Sequence, residues 1–403
     1  MKRFIFQDLI NSNDLKEYNV CVITAANNYQ AKGYQEQLRW RKDRGILPEN
    51  TEFLVFADPQ GKRIGSGGST IYVLYKLLEH FCHANENERY QSPHELFSGK
   101  RILILHSGGD SRRLPAYSAV GKTFIPLPTS FSPALKRSEG TDGFVALFDL
   151  LLNNLMQLPC LNDGQVVVAS GDVLLSVDSS KIVFNDSGVT GLAYPGPIEV
   201  ASNHGVHIVP QTQSGENLRK VVDFLQKPTY DELERCNGLD IVGRAFIDTG
   251  VMNFSLDAIK VLMEASGISL EDGKVVTGKD GLCENLINAN MQLDIYKEIP
   301  FAMLGNVVAA FSTPVVRGLN PRTNGDDSAK HKPNPLNPLK KFADSLKEIP
   351  FFVYLLSYCE FFHIGTSKQL IQNFHTINYT ASTYGVQNFS KSRAVDKSGL
   401  ENA

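Results

Sequence analysis

The sequence predicts an α/β protein built on a sheet covered by helices on both faces. Two observations predict it. Short apolar, β-rich runs alternate with stretches of helical apolar spacing. Most of those runs also end in glycine, aspartate or asparagine, so polar chemistry collects at the carboxyl ends of strands, where open α/β sheets bind ligands.

The elements follow in order. Val20–Thr24 is a strand that ends in Ala25-Ala26-Asn27-Asn28, and the polar stretch through Arg44 reads as helix. Glu52–Ala57 is a second strand, closed by Asp58-Pro59. Gly65-Ser-Gly-Gly-Ser-Thr70 precedes a helix over Ile71–Phe81, and residues 83–98 read as surface loop. Arg101–His106 is a buried strand that opens into Ser107-Gly108-Gly109-Asp110-Ser111-Arg112-Arg113; its histidine, His106, reads as a packed residue. Thr129–Gly143 reads as a long loop, Phe144–Leu158 as a helix and Gln165–Ser170 as a strand ending at Gly171-Asp172. His204–Val209, Val221–Gln226 and Gly250–Phe254 are further strand-like runs, and Asp257–Ala265 is a helix. Residues 320–341, rich in Pro, Asn, Lys and Gly, read as a mobile loop or linker.

Bulk composition narrows the function. The chain has 403 residues, 42% of them hydrophobic, and a net charge of −3, which excludes a general nucleic-acid or membrane-surface binder. Its 6 cysteines form no C-x-x-C pair, which argues against a zinc or redox motif and fits a reducing, cytoplasmic location. The first residues lack the apolar core of a signal peptide, and Ile349–Phe362, broken by Pro350 and Glu360, reads as buried structure, not a membrane span.

The strongest chemical signal is Leu105-His-Ser-Gly-Gly-Asp-Ser-Arg-Arg-Leu-Pro115, with Gly121-Lys122 after it. A glycine turn after a buried strand lets backbone N–H groups converge on an anion. Arg112, Arg113 and Lys122 add the forked and point charges that a triphosphate needs. Ala116 to Thr123 also fits a relaxed P-loop, but Pro115 precedes it and Phe124-Ile-Pro-Leu-Pro128 cannot open a helix, so that reading is rejected. Gly65, Ser66, Gly67 and Gly68 suit either phosphate binding at a helix N-terminus or a glycine turn packed on the core. Asp172, beside Gly171 past a buried strand, is placed to hold Mg²⁺, and Asp248 is the candidate second ligand. Lys227 ends another strand and is a candidate for the sugar phosphate, and His204-Gly205 for the sugar pocket.

Gly65–Thr70, Leu105–Pro115 with Gly121-Lys122, Ser170-Gly-Asp172, His204-Gly-Val206, Gln226-Lys-Pro228 and Phe362-His-Ile-Gly-Thr-Ser367, in this order, resemble the fucose-1-phosphate guanylyltransferases, or GDP-L-fucose pyrophosphorylases, and the corresponding part of bifunctional fucokinase enzymes. The resemblance implies a Rossmann-like mixed sheet of the sugar-nucleotide pyrophosphorylase type over residues 1–365. It also implies a short C-terminal extension over residues 366–403, where a left-handed β-helix would be only starting. The alternatives are a truncated chain, a kinase carried on a separate protein, or a divergent short form. It further implies GTP and a sugar 1-phosphate as substrates, Mg²⁺ as cofactor, and no nucleic-acid or membrane partner. Gly108, Gly109, Lys122 and one of Arg112 and Arg113 fall on the wider family's signature, Asp172 on its metal aspartate and Asp248 on its second metal position. Gln226 stands where many relatives carry glutamate, so the resemblance gives a role only to Lys227. Fucose 1-phosphate would attack the α-phosphorus of GTP, giving GDP-L-fucose and pyrophosphate.

Overall fold

The computed structural model describes residues 17–84, 90, 92–108, 114, 117, 121–130, 144–210, 216–279, 281–288, 291–306, 336–380, 387–388, 394–395 and 401–402. The strands in chain order are β1 Val20–Ala25, β2 Glu52–Ala57, β3 Arg101–His106, β4 Pro126–Ser130, β5 Phe144–Ala146, β6 Gln165–Ser170, β7 Val173–Val177 and β8 Val189–Gly196. They continue as β9 Gly205–Ile208, β10 Leu218–Lys220, β11 Asp223–Gln226, β12 Ala245–Ser255, β13 Ile268–Glu271, β14 Lys274–Thr277, β15 Phe351–Leu355 and β16 Cys359–His363.

A 10-stranded mixed sheet forms the centre, in the order β10-β15-β8-β12-β6-β3-β1-β2, with β9 and β11 branching from β12. β2, β1, β3 and β6 are mutually parallel, whereas β12 runs antiparallel to both β6 and β8. The chain first adds β2 on one side of β1, then places β3 on the other. This reversal is the kind of switch point at which strand ends diverge and a crevice opens. Ser107 and Gly108 lie at it, and a Cβ on Gly108 would stand 3.3 Å from the Ala25 carbonyl carbon.

The central strands β1, β3 and β6 are buried on both sides because their interiors are apolar at successive positions. Cys21, Ile23, Leu103, Leu105, Val167 and Ala169 enter one core. Val20, Val22, Ile102, Ile104, Val166 and Val168 enter the other, as the period-2 alternation of strand side chains requires. The first core is covered by the helices Asn28–Lys42 and Leu147–Met156, the second by Gly65–Ala84, Leu256–Ala265 and Leu336–Leu346. Asn27 caps the first helix by accepting from the Gln30 N–H at 3.0 Å. Arg41 from that helix locks onto Asp149 of Leu147–Met156, and both side chains are 2% exposed.

Several sequence readings shift here. The helix that was to begin at Ile71 begins at Gly65, so the glycine cluster forms its first turn. Phe144–Ala146 is a strand, and the helix starts only at Leu147. Lys122–Phe124 is a single short helical turn followed by β4, which agrees with rejecting a P-loop. Beyond residue 365 the described chain is a helix, Ser367–Thr380, with two-residue strands at 387–388, 394–395 and 401–402; none of these described residues forms a left-handed β-helix coil. Among the described residues no helix is long and apolar enough to cross a membrane. Most of the segment at residues 320–341 lies outside the described residues.

Candidate active site

A cavity of about 290 Å³ opens along the carboxyl ends of β2, β1, β3 and β6. Asp58, Thr24, Ser107-Gly108 and Gly171-Asp172, each at or just past one of those strand ends, line it, with Lys122, Thr123, Tyr296 and the start of the Gly65 helix closing its sides.

Its centre is a charged pair. Lys122 Nζ donates to Asp172 Oδ2 at 2.7 Å, and Ser170 Oγ donates to Asp172 Oδ1 at 2.7 Å. His363 Nε2 stands 3.7 Å from the same Oδ2. Burial pushes the Asp172 carboxyl up, but His363 and the Lys122 ammonium outweigh it and hold the group well below the usual carboxylate range. The side chains of Lys122 and Asp172 are 16% and 21% exposed, so the pair is open to the cavity.

The backbone around the pair is fixed by close contacts. Thr123 Oγ1 donates to the Gly171 carbonyl at 3.1 Å and touches Ser107 Oγ. A Cβ on Gly171 would lie 2.5 Å from Thr123 Oγ1 and 2.6 Å from Ser107 Oγ, so only glycine fits this crossing of three segments. Gly121 has φ 71°, and a Cβ there would meet the Tyr34 hydroxyl at 1.9 Å. Tyr34 in turn donates to the Ser107 carbonyl at 3.1 Å.

His106, expected to be a packed residue, lines the cavity. Burial pushes its imidazole down to about 4, so the ring is neutral at physiological pH. Thr70 Oγ1 gives its proton to the Ser66 carbonyl at 3.1 Å, so His106 Nε2–H donates to Thr70 at 2.9 Å. The histidine thereby ties β3 to the first turn of the Gly65 helix.

The glycine cluster divides in two. Gly65 and Ser66 line the cavity. Gly67 and Gly68 instead direct their N–H groups to the Leu293 carbonyl, at 2.9 and 3.3 Å. Gly65, with φ 77°, leaves 2.1 Å between a notional Cβ and the same oxygen. Close packing against residues 291–295 therefore accounts for the glycines at 65 and 67, and the N–H groups at 67 and 68 are not aimed at an anion.

A second group of residues, on the β9–β11 side, is linked to Asp172 through His363. Lys227 has φ 54°, and its N–H donates to the His204 carbonyl at 2.9 Å, which sets the two residues side by side. Burial lowers the His204 imidazole pKa, in the combined field of His363, Asp248 and Lys227. The rings of His204 and His363 stand 5.8 Å apart. Gly205 is a packing position, since a Cβ there would strike the Phe224 ring at 2.4 Å. Asp248 is 6% exposed, just before an irregularity in the β12–β8 pairing, with His207 Nε2 3.4 Å from its Oδ1.

His363 sits in a segment singled out by its sequence, Phe362-His-Ile-Gly, but nothing there marked its role. Pairing of β16 with β7 sets it opposite Val173. Thr366 Oγ1 donates to Gln369 Oε1 at 3.1 Å, which leaves the Gln369 amide N–H to donate to His363 Nδ1 at 3.3 Å. That contact makes Nδ1 the acceptor and keeps the proton on Nε2, facing Asp172. Gly109, Arg112 and Arg113 lie outside the described residues.

Comparison with known proteins decides the family. A model described as the fucose pyrophosphorylase domain matches residues 94–402. The chain belongs to the fucose pyrophosphorylase family. Among relatives, it is 32% identical over 254 residues to a bifunctional fucokinase/GDP-fucose pyrophosphorylase of Arabidopsis thaliana, covering 59% of this chain and 23% of that protein. It is 27% identical over 383 residues to a fucose-1-phosphate guanylyltransferase of Mus musculus, covering 93% of this chain and 59% of that protein. A Homo sapiens protein of the same name is 25% identical over 384 residues, 93% of this chain and 58% of that protein. The chain thus spans less than two thirds of the length of each of these curated relatives. A UDP-glucose pyrophosphorylase solved with UDP-glucose aligns over 90% of this chain and 100% of its own, at 11% identity and a TM-score of 0.30, a likeness too slight to bear on the fold.

Proposed function

We propose that this family member is a nucleotidyltransferase that joins L-fucose 1-phosphate and GTP to give GDP-L-fucose and pyrophosphate. The observation that carries the reading is the Lys122–Asp172 pair, held open in the strand-end cavity beside Ser107 and Gly108. The family and the names of its relatives support the choice of fucose and guanosine.

In this reading GTP lies along the strand ends with its phosphates over the Ser107-Gly108 turn. Gly109, Gly171 and the Gly65-Ser66 turn complete the nucleotide cradle. A phosphate oxygen of the sugar attacks the α-phosphorus in line; a new P–O bond forms, the bond to the β-phosphate oxygen breaks, and pyrophosphate leaves. No covalent enzyme intermediate is needed, so catalysis is positioning and charge stabilisation. Lys122 exchanges Asp172 for the triphosphate. Arg113 or Arg112 stabilises the departing charge. Lys227, His204 and the Nε2–H of His363 receive the sugar phosphate.

Mg²⁺ fits the donor set. Asp172 offers a hard carboxylate oxygen at the cavity, whereas Asp248, buried against His207, is not among the cavity's lining residues and would have to turn toward it to serve as the second ligand. Mg²⁺ is usually held by one or two carboxylates with phosphate oxygens supplying the rest. When bound, the ion would neutralise phosphate charge. A cytoplasmic location belongs to the same proposal, in keeping with six free cysteines.

The test is pyrophosphate release with GTP, Mg²⁺ and β-L-fucose 1-phosphate, omitting each in turn. Release that needs all three is the expected result. GTP binding without release in the folded protein would sink the catalytic reading.

A further inference from the structure

The cavity holds a second carboxylate that the reaction above does not use. Asp58 follows β2, at the opposite end of the four parallel strands from Asp172. Its N–H donates to the Ala25 carbonyl at 2.8 Å, which fixes its backbone to β1. The residue is 7% exposed, yet it lines the cavity together with Thr24, Gly65, Ser66 and Ser69. Ser69 Oγ donates to its Oδ1 at 2.6 Å. Burial pushes the carboxyl up to about 6, with Ser69, the Ile64 N–H and Arg63 opposing, so at neutral pH it remains an acceptor-only carboxylate.

We propose that Asp58 selects guanine, its carboxylate accepting the adjacent N1–H and 2-amino donors of the base. The inference rests on the nucleotidyltransferase reading for its ligand and sharpens that reading to one residue. Three pieces of physical chemistry favour it. First, an acceptor-only group demands donors, and guanine alone among the four bases presents two donors side by side on its Watson–Crick edge. Adenine and cytosine each pair a donor with an acceptor there, and uracil flanks its one N–H with two carbonyl oxygens that a carboxylate repels. Second, the distance is suitable. From β2 to β6 is three strand spacings, roughly 14 Å at about 4.8 Å each. That is of the order spanned by a nucleotide from base edge to reacting phosphate, so a base at Asp58 leaves the α-phosphate near Lys122 and Asp172. Third, the carboxylate is already oriented. Ser69 and the Ile64 N–H occupy part of its lone-pair capacity and hold it still, while a carboxylate offers about four acceptor sites in all. A preorganised buried acceptor discriminates strongly, because a base without the matching donor leaves it unpaired.

The experiment measures binding isotherms and pyrophosphate release for GTP, inosine triphosphate and xanthosine triphosphate, on the wild type and on Asp58→Asn. Inosine lacks the 2-amino donor, and xanthine replaces it with a carbonyl acceptor that an asparagine amide can satisfy. The wild type should bind GTP about tenfold or more tighter than inosine triphosphate, as expected for one hydrogen bond to a charged group. Asp58→Asn should lose on the order of a hundredfold in GTP affinity and come to prefer xanthosine triphosphate. Misfolding cannot produce that gain. An Asn variant that keeps the wild-type ratio of GTP to xanthosine triphosphate overturns the proposal. So does a wild type that binds GTP and inosine triphosphate equally, a comparison that needs no variant. The two readings fail separately: pyrophosphate release by the wild type upholds the reaction whichever way Asp58 behaves, and a switch in binding without release upholds Asp58 while the reaction falls.

Discussion

Two cation–carboxylate pairs in this molecule have nearly the same length and opposite characters. Arg41 Nε meets Asp149 Oδ1 at 2.6 Å, and Lys122 Nζ meets Asp172 Oδ2 at 2.7 Å. The first pair is closed. Arg41 also donates through Nη2 to Asp149 Oδ2 at 2.9 Å and through Nη1 to Gln37 Oε1 at 2.9 Å, and the Ala146 N–H donates to Asp149 Oδ2 at 2.7 Å. The fork is bidentate, planar and dry, and it pins the helix Asn28–Lys42 to Leu147–Met156. The second pair has one point of contact, a flexible lysine and a face on the cavity. A closed pair can only be broken, at the cost of an uncompensated buried charge. An open pair can exchange partners, and phosphate is a partner of the right charge for the lysine.

The two pairs should therefore fail differently when cut. Arg41→Met leaves Asp149 buried without its cation and should destabilise folding by about 3–5 kcal/mol. Urea denaturation should show this as a lower midpoint with an unchanged slope. Protein that remains folded should turn over at the wild-type rate per active site, and a selective loss of turnover would erase the distinction. Lys122→Met should do the reverse. Loss of one preorganised charge in the site should lower kcat by about 10²–10³-fold, and the melting point should fall less than in Arg41→Met, because Asp172 keeps Ser170 and His363 as partners. Asp172→Asn should be comparably slow and should also weaken Mg²⁺ dependence. Unchanged turnover with Asp172→Asn would remove it from the metal site.

Gly171 tests the geometry that separates the pairs. The closed pair joins two helices side chain to side chain, whereas the open pair depends on Gly171 passing between Ser107 and Thr123. Gly171→Ala would push its methyl group into two hydroxyls and the His106 carbonyl. Overpacking of this kind costs about 1–3 kcal/mol. The expected result is a fall in both melting temperature and kcat, with part of the stability restored by Thr123→Ala or Ser107→Ala. Full activity of Gly171→Ala would mean that the loop has slack the structure does not show.

The same contrast explains what could be read from the sequence. The parallel half of the sheet was legible because β1, β2, β3 and β6 are continuous apolar runs with chemistry at their ends. Lys122 and Asp172 were legible for that reason, and the structure brings them together. β8 was not, because Pro195 and the glycines at 191 and 196 disguise a strand whose partners on either side, β12 and β15, are distant in sequence. His106 looked like one more core residue, since an apolar run cannot reveal that its last member turns into a cavity. Gly67 and Gly68 left phosphate binding and packing on the core equally open, because sequence cannot show that the Leu293 carbonyl, more than two hundred residues away, takes their N–H groups. Asp58 carried no signal beyond a turn, since its place in the cavity comes from what β1 and the Gly65 helix set around it. Arg112 and Arg113 lie outside the described residues, so the choice between them passes to mutagenesis.

The smallest expected effect lies farthest from the reacting groups. Gln369, on the helix after residue 365, touches neither member of the open pair. It acts on His363, and Asn373 Nδ2 holds the same residue by donating to the His363 carbonyl at 3.0 Å. Replacing Gln369 with methionine removes the N–H donor that keeps Nδ1 an acceptor. His363 would then exchange between tautomers, and in one of them its Nε2 lone pair would face the Asp172 carboxylate. Loss of one neutral hydrogen bond is worth about 0.5–1.5 kcal/mol, so the expected cost is roughly two- to tenfold. It should fall on KM for the sugar phosphate more than on kcat, because the His363 ring stands beside that of His204, whose carbonyl holds the Lys227 N–H. A merely structural role would leave the imidazole unchanged. The deciding readout is therefore the ¹⁵N NMR signature of His363, which should report a protonated Nε2 in the wild type and a mixture of tautomers in Gln369→Met. A wild-type spectrum with the proton on Nδ1 would break the relay from Thr366 to Asp172, and with it the reason for counting this helix as part of the site.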